Sequence, residues 1–355
     1  MYYLIYLIAS VFSLVGNFKH KTFFLDYLII ILALFAGTRL DIDKDYFMYY
    51  KSLLYMDDNL KAFKRREISL EYSMYFFPKF FELFTIDKIT VVRSVFLSFA
   101  FLGVSTKLIA IRKYSDFFFL SVILYVSYLF FMMEMTTIRA GVAAGIFLLS
   151  IKALDEKNDK HFFIFIAFCF FFHSSSILFV LPWVLFKLKI KLKYYYISIF
   201  VSLLIALAKV NILTLLFLDR IFPRVEGYIK AMEWMKEDNA NIFSFRAVFA
   251  LLMIVLFSIY YKKIKDVKYF DVLFKMHLIS ISLFFVLSTS AQVFSIRTFE
   301  MFSVVQILLY PMIVNVLHPK FKLAGWLLII AFSLVQLYFI ISVAEIYKPY
   351  KSWLF

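Results

Sequence analysis

Long apolar runs recur along almost the whole chain and restrict its fold more than any other feature. Twelve of them lie near 2–17, 22–38, 91–111, 116–133, 138–153, 161–173, 175–187, 193–216, 242–261, 269–289, 297–316 and 323–344. A helix of about 20 apolar residues crosses a bilayer and satisfies its own backbone hydrogen bonds there. Hydrophobic residues make up 64% of the chain, more than a soluble globule of this length could bury. The sequence therefore predicts an all-α polytopic membrane protein, with about 12 transmembrane helices in one bundle and a single domain over 1–355.

Lysine-rich turns between the runs predict the orientation of the helices, because positively charged turns collect on the cytoplasmic side. These turns lie at 19–21, 107–113, 152–160, 187–193, 262–265 and 320–322. Placing them in the cytoplasm leaves both termini outside, together with two longer loops at 39–68 and 217–241.

The segment 67–86 must not cross the membrane if this alternation is to hold. It carries Glu71, Pro78, Lys79 and Glu82 among Phe and Tyr, which favours an interfacial or re-entrant helix. If the segment does cross, either the first two runs change sides or another run does not cross.

Basic residues outnumber acidic ones, 39 against 24, and give a formal charge of +15. On a soluble domain such a charge would favour nucleic acid binding. Here the basic residues lie mostly between apolar runs, where they orient helices and contact anionic lipid. We therefore expect the lipid bilayer, and no nucleic acid, as a partner.

Ionisable residues next to membrane spans are costly and are candidates for function. The predicted topology places Arg39, Arg139, His173 and Arg297 on the outer side, from four separate parts of the chain. Arginine carries a planar fork of donors suited to phosphate, and histidine can exchange a proton near neutral pH. Together they predict a pyrophosphate site for a lipid-linked substrate. Each residue alone also fits a structural role, such as anchoring a helix at the interface.

Acidic and aromatic residues accompany this cluster in the outer loops. Asp41, Asp43 and Asp45 alternate along the first loop and could hold a divalent cation, but Lys44 lies among them. We favour the interpretation that these aspartates lie in a solvated loop or contact a substrate hydroxyl, so we expect no metal and no cofactor. Tyr46 and Tyr49 are further candidates, because they could stack on sugar rings. Arg224, in the second loop, is another.

The order of these motifs along the chain resembles that of the EpsG-like branch of Wzy-type polysaccharide polymerases. The matching positions are Arg39, Asp45, Tyr46, Tyr49, Glu71, Tyr72, Ile138, Arg139, Ala143, Phe172, His173, Ser175 and Arg297. The chain departs from the family pattern in having Ala140 after the arginine, where glutamine is frequent. It also lacks the glycine usually found before the Asp45–Tyr46 pair, which leaves open which aspartate matters.

The resemblance implies a glycosyltransferase that polymerises undecaprenyl-diphosphate-linked oligosaccharide units at the outer face of the bacterial cytoplasmic membrane. It implies catalytic roles for His173, Arg139, Arg297 and Asp45. Substrate binding would fall to Arg39, Tyr46, Tyr49, Glu71 and Arg224. The proton of the attacking hydroxyl would go to His173 or to an outer carboxylate, Asp45, Glu71 or Glu134. A flippase and a chain-length regulator are further possible partners.

Three other functions remain open from the sequence. A flippase for the same lipid-linked unit would need a site accessible from both sides, usually between repeated halves, and no internal repeat is visible. An O-antigen ligase would differ only in its acceptor, whereas a sugar O-acetyltransferase would take its donor from the cytoplasm. In a structural membrane subunit the arginines would only anchor helices.

Overall fold

The computed structural model describes residues 1–15, 21–64, 71–217, 220, 226–227, 240–290 and 292–354. Over this part of the chain the backbone is helical, apart from turns and one isolated bridge between Arg39 and Ser352. The all-helical fold class predicted from the apolar runs is therefore confirmed.

The first half of the chain forms ten helices within the described ranges. They are α1 (Tyr2–Val15), α2 (Lys21–Gly37), α3 (Tyr46–Leu54), α4 (Met56–Lys64), α5 (Tyr72–Glu82), α6 (Lys88–Tyr114), α7 (Phe118–Leu124), α8 (Ile138–Leu149), α9 (Ile151–Asp155) and α10 (Asp159–Phe172). A π-helical segment, Tyr125–Thr136, continues α7, and a 3-10 helix, Ser174–Phe179, follows α10.

The second half is built in the same way. Its helices are α11 (Val180–Lys187), α12 (Leu192–Leu207), α13 (Ile212–Leu215), α14 (Phe245–Ile259), α15 (Tyr261–Ile264), α16 (Phe270–Leu287), α17 (Gln292–Ser303), α18 (Gln306–Leu309), α19 (Ile313–Val316) and α20 (Lys322–Tyr338). The chain groups into two compact units, unit 1 (Met1–Phe179 with Tyr310–Phe355) and unit 2 (Val180–Leu309). The single membrane domain expected from the sequence stays a prediction.

Helices long and apolar enough to cross a membrane are fewer than the twelve predicted. The described residues contain four, Lys88–Tyr114, Phe118–Thr136, Phe270–Leu287 and Pro319–Val343. A fifth is added if the bent pair Gln292–Ser303 and Gln306–Val316 counts as one span. Other apolar helices, α1 and α8 among them, have only 10–17 residues. A multi-pass membrane protein is thus supported, while the count of twelve is not confirmed.

The first predicted loop, 39–68, contains two helices, α3 and α4. Tyr46, Tyr49 and Leu53 of α3 are buried. The next helix, α5, has 11 residues and a length of roughly 16 Å, about half the hydrocarbon thickness. That length suits the expectation that 67–86 does not form a full span, and its place in the membrane stays a prediction. The second predicted loop, 217–241, lies mostly outside the described residues.

The two ends of the chain meet at the same end of unit 1, beside Arg39. The Tyr2 hydroxyl donates to the Lys348 carbonyl at 2.5 Å. The Leu40 amide donates to the Lys351 carbonyl at 2.9 Å, forming part of the bridge to the C-terminal segment. Both termini therefore lie with the predicted first loop, as the topology requires, and the side of the membrane that they face stays a prediction.

Candidate active site in unit 1

Three ionisable side chains from distant parts of unit 1 meet in one cluster. Arg139 Nη1 lies 2.9 Å from Glu71 Oε2, and His173 Nδ1 lies 2.9 Å from Glu71 Oε1. Glu71 immediately precedes α5, Arg139 is the second residue of α8, and His173 follows the last residue of α10. The carboxylate of Glu71 thus bridges a guanidinium and an imidazole.

The local backbone explains why His173 reaches this position. Its extended conformation, φ −150° and ψ 117°, ends α10 and starts the turn into the 3-10 helix. The amide of Ser174 donates to Glu71 Oε1 at 3.2 Å, and the Ser174 hydroxyl makes a second bond of the same length. Ser73 adds a link from α5 to α10, donating to the Phe172 carbonyl at 3.3 Å. The histidine–serine corner is therefore fixed to the start of α5.

The electrostatics of Glu71 follow from these contacts. Burial alone would raise the pKa of its carboxyl group, but the hydrogen bond from His173 and the charge of Arg139 lower it to about 2. Glu71 is therefore ionised and can only accept hydrogen bonds. His173 Nδ1 must then carry the shared proton, so neutral His173 presents the lone pair of Nε2 away from Glu71.

Exposure separates the members of the cluster. The side chain of Glu71 is 3% exposed, whereas His173 is 15% and Arg139 21% exposed. The carboxylate therefore faces inward, and the imidazole and guanidinium reach the surface of unit 1. The buried carboxylate of Glu71 contacts Arg139 and His173, and its predicted contact with substrate stays a prediction.

The two tyrosines proposed to stack on sugars lie in the core. Tyr49 is 3% exposed and lies under Arg139, with the guanidinium carbon 5.3 Å from its ring centroid. Tyr46 is 6% exposed and stacks on Phe96 with centroids 5.2 Å apart. Both occupy the buried face of α3, and stacking on sugar rings stays a prediction for them. The ring of Tyr49 packs against the guanidinium of Arg139.

Arg39 is likewise buried, with 1% of its surface exposed. Its Nε donates to Asp43 Oδ2 at 2.8 Å, Nη1 donates to the Ala36 carbonyl at 2.8 Å, and Nη2 donates to the Met135 carbonyl. The carboxylate of Asp43, four residues later, compensates its charge. In this structure these contacts occupy the guanidinium of Arg39, and its contact with substrate stays a prediction. Asp45 remains partly exposed at the start of α3.

A second charged network in unit 1 was not foreseen. Lys107 Nζ lies 2.6 Å from Glu134 Oε1 and donates to the Gly141 carbonyl at 2.6 Å. The Tyr125 hydroxyl donates to the same carboxylate oxygen at 3.0 Å. The side chains of Lys107 and Glu134 are completely buried. Lys107 lies inside α6, which corrects its assignment to a cytoplasmic turn, whereas a role of Glu134 as a base stays a prediction.

Glycines make room for this network. A side chain at Gly103 would collide with the carboxylate of Glu134, and one at Gly141 would collide with the Met133 carbonyl. The close approach of the helix backbones here could have been expected from Gly103 and Gly141, because small residues let helices pack closely. No comparable signal indicates which carboxylate Lys107 contacts.

The remaining arginines predicted for the site are elsewhere or not described. Arg297 lies on α17 of unit 2 and is partly buried. On the same helix Glu300 approaches Arg246, with Oε1 and Nη1 3.7 Å apart. The meeting of Arg297 with Arg139 and His173 stays a prediction, and Arg224 lies outside the described residues. Among the described residues no group of three or more His, Cys, Asp or Glu could hold a metal.

Comparison with known proteins gives one match. The model of the EpsG family matches residues 22–352, which include every residue of the two charged networks. No curated protein and no solved structure matches the chain. Since the family model covers more than half of its length, the chain belongs to the EpsG family, a family of Wzy-like polysaccharide polymerases.

Proposed function

We propose that this protein polymerises undecaprenyl-diphosphate-linked oligosaccharide units at the outer face of the bacterial cytoplasmic membrane. Membership of the EpsG family supports a polysaccharide polymerase. The observation that carries the chemistry is the cluster of Glu71, Arg139 and His173. A flippase that delivers the units and a chain-length regulator are the partners this function calls for.

His173 is the proposed general base. An acceptor sugar hydroxyl attacks the anomeric carbon of the donor chain, and its proton passes to His173 Nε2. Glu71 holds Nδ1 and stabilises the imidazolium that forms, as a buried carboxylate does for a catalytic histidine in other enzymes. Glu71 is therefore a positioning residue.

Arg139 is the proposed contact for the leaving group. As the new glycosidic bond forms, the bond between the anomeric carbon and the diphosphate oxygen breaks, and the lipid diphosphate leaves with the electron pair. A partly exposed guanidinium next to the base stabilises this growing negative charge. The ion pair with Glu71, 2.9 Å from Nη1, keeps this guanidinium next to the proposed base.

The direct test is reconstitution of purified protein with the lipid-linked repeat unit. We expect wild-type protein to produce a ladder of chain lengths, and His173→Ala to bind the unit and leave it single. The matched control is His161→Ala, which changes an exposed histidine at the other end of α10. A ladder from His173→Ala equal to that of wild type would contradict the proposed role.

Deletion in cells separates the polymerase from related functions. Loss of the protein should leave single repeat units on the final acceptor. If no surface polysaccharide reaches the acceptor at all, a ligase or flippase is indicated instead.

The outer location is tested by labelling with a membrane-impermeant thiol reagent. The natural Cys169 is buried, so it gives little background. A cysteine introduced within 217–241 should react in intact cells, and one at Lys189 should not. Reaction at Lys189 alone would invert the topology and remove the cluster from the outer face.

A further inference from the structure

A groove in unit 1 runs between α2 and α6 and is covered on one side by α5. Its volume is about 370 Å³, within the range of roughly 300–1,000 Å³ typical of ligand sites. Apart from Ser98 the lining is entirely apolar. The Ser98 hydroxyl donates to the Ser94 carbonyl at 2.8 Å, so the groove offers an occupant little besides hydrocarbon contact.

The helices α2 and α6 approach each other closely at the end of the groove nearest Arg39. A side chain on Gly37 would collide there with the backbone of Leu97. On α2 the lining then passes through Leu34 to Ile30, away from Arg39. On α6 it starts at Leu97, beside the Phe96 ring that lies 5.0 Å from the Arg39 guanidinium. The groove therefore begins close to the buried Arg39 and extends away from it along α2 and α6.

One residue connects the groove with the proposed active site. Phe77 lines the groove and lies on α5, the helix that begins directly after Glu71. Its ring centroid is 6.0 Å from that of Phe172, the residue before His173. An apolar chain in the groove would thus contact Phe77, whose ring packs against Phe172 of the Phe172–His173 corner.

The groove is also open to the side. Its rim residues Ile30, Leu34 and Phe101 are 50%, 41% and 49% exposed, which allows entry from the surrounding lipid. A partly exposed arginine and histidine near one wall complement an anionic headgroup, and the apolar lining complements a long tail. An amphiphile with an anionic headgroup and a long apolar tail would match both the charged residues and the groove.

We infer that this groove holds the segment of the lipid tail nearest the diphosphate of the lipid-linked donor. The inference rests on the proposed function and adds a tail-binding subsite to it. Such a subsite places the headgroup beside Arg139 and His173 without removing the tail from the bilayer. Binding energy from a remote, unreactive part of the substrate then orients the reacting bond.

The test compares two donors that share one glycan diphosphate and differ only in tail length, a long polyprenyl chain and a single isoprene unit. Wild-type protein should have a KM for the long-tail donor at least about tenfold lower. Leu34→Trp, which fills the groove, should remove this difference by raising the KM of the long-tail donor alone. Leu7→Trp is the matched control, because Leu7 is 58% exposed on α1 and does not line the groove.

Each outcome decides between the alternatives. Equal KM values for both donors with wild-type protein would mean that the groove holds only bulk lipid. A tail preference that survives Leu34→Trp and also Ser98→Phe, a second groove-filling variant to be used if the first does not fold, would place the tail elsewhere. In either case a chain-length ladder from wild-type protein would leave the polymerase proposal standing, whereas no ladder from either donor would count against that proposal itself.

Discussion

Unit 1 contains two carboxylate-centred charge networks of similar composition and opposite exposure. Glu71 joins Arg139 and His173, which are 21% and 15% exposed. Glu134 joins Lys107 and Tyr125 with both charged side chains completely buried. The second network connects α6 with α8 and the π-helical segment, and we expect its role to be structural. The difference in exposure is the reason for proposing the first network, and not the second, as the catalytic site.

The largest effect is expected from separating the buried pair. Lys107→Met leaves the carboxylate of Glu134 buried without its cation, which should lower the free energy of unfolding by about 3–5 kcal/mol. Denaturation of the purified protein in detergent measures this loss. The double variant Lys107→Met with Glu134→Met should recover most of it, because no uncompensated charge remains. A single variant as stable as wild type would show that the pair does not hold the fold.

Removing the proposed base, His173, should lower activity and leave stability unchanged, the reverse of what we expect for Lys107. His173→Ala should lower kcat about 10²- to 10⁴-fold, the usual contribution of a general base. Its unfolding midpoint should stay close to that of His161→Ala, the surface control. If His173→Ala unfolds as easily as Lys107→Met, the two networks have the same structural role and the distinction fails.

A smaller effect should follow from keeping the charge of Arg139 and changing its shape. Arg139→Lys retains a cation but loses the planar fork that contacts carboxylate and phosphate together. We expect polymerisation to fall about tenfold or more while the protein remains folded. Rates on the lipid-linked donor measure this, and wild-type chain lengths from Arg139→Lys would remove Arg139 from the site.

The last effect is confined to acidic pH. The pKa of Glu71 is lowered from 4.5 to about 2, so the folded state favours its ionised form. The resulting stabilisation is complete above pH 4.5 and is lost as the pH falls toward 2. Thermal unfolding of wild type and Glu71→Gln across this range should show a steeper loss in wild type. Parallel curves would mean that the carboxylate contributes no linked proton.

The sequence predicted the fold class because apolar composition alone decides it, whereas helix lengths depend on local breaks. The apolar runs 161–173 and 175–187 are separated at His173, and the structure ends α10 at the same place. The π-helical segment after Leu124 has no marker residue, and it continues α7 to spanning length. Other apolar runs form helices of only 10–17 residues, which an apolar count does not reveal.

The candidate site was predicted in part for a similar reason. Arg139 and His173 stood out as ionisable residues beside apolar runs, and their meeting depends on Glu71, more than 60 residues before Arg139. Arg39 stood out equally, but the sequence did not show that Asp43 would neutralise it. Charged residues signal a cost that must be compensated, and only the tertiary structure identifies the compensating partner.

A double-mutant cycle between Glu71 and His173 tests the central claim most directly. If Glu71 acts through His173, the rate of Glu71→Gln combined with His173→Ala should equal that of His173→Ala alone, because the base that Glu71 positions is already absent. If the two rate losses multiply, Glu71 and His173 act independently, and the cluster is not a positioned base.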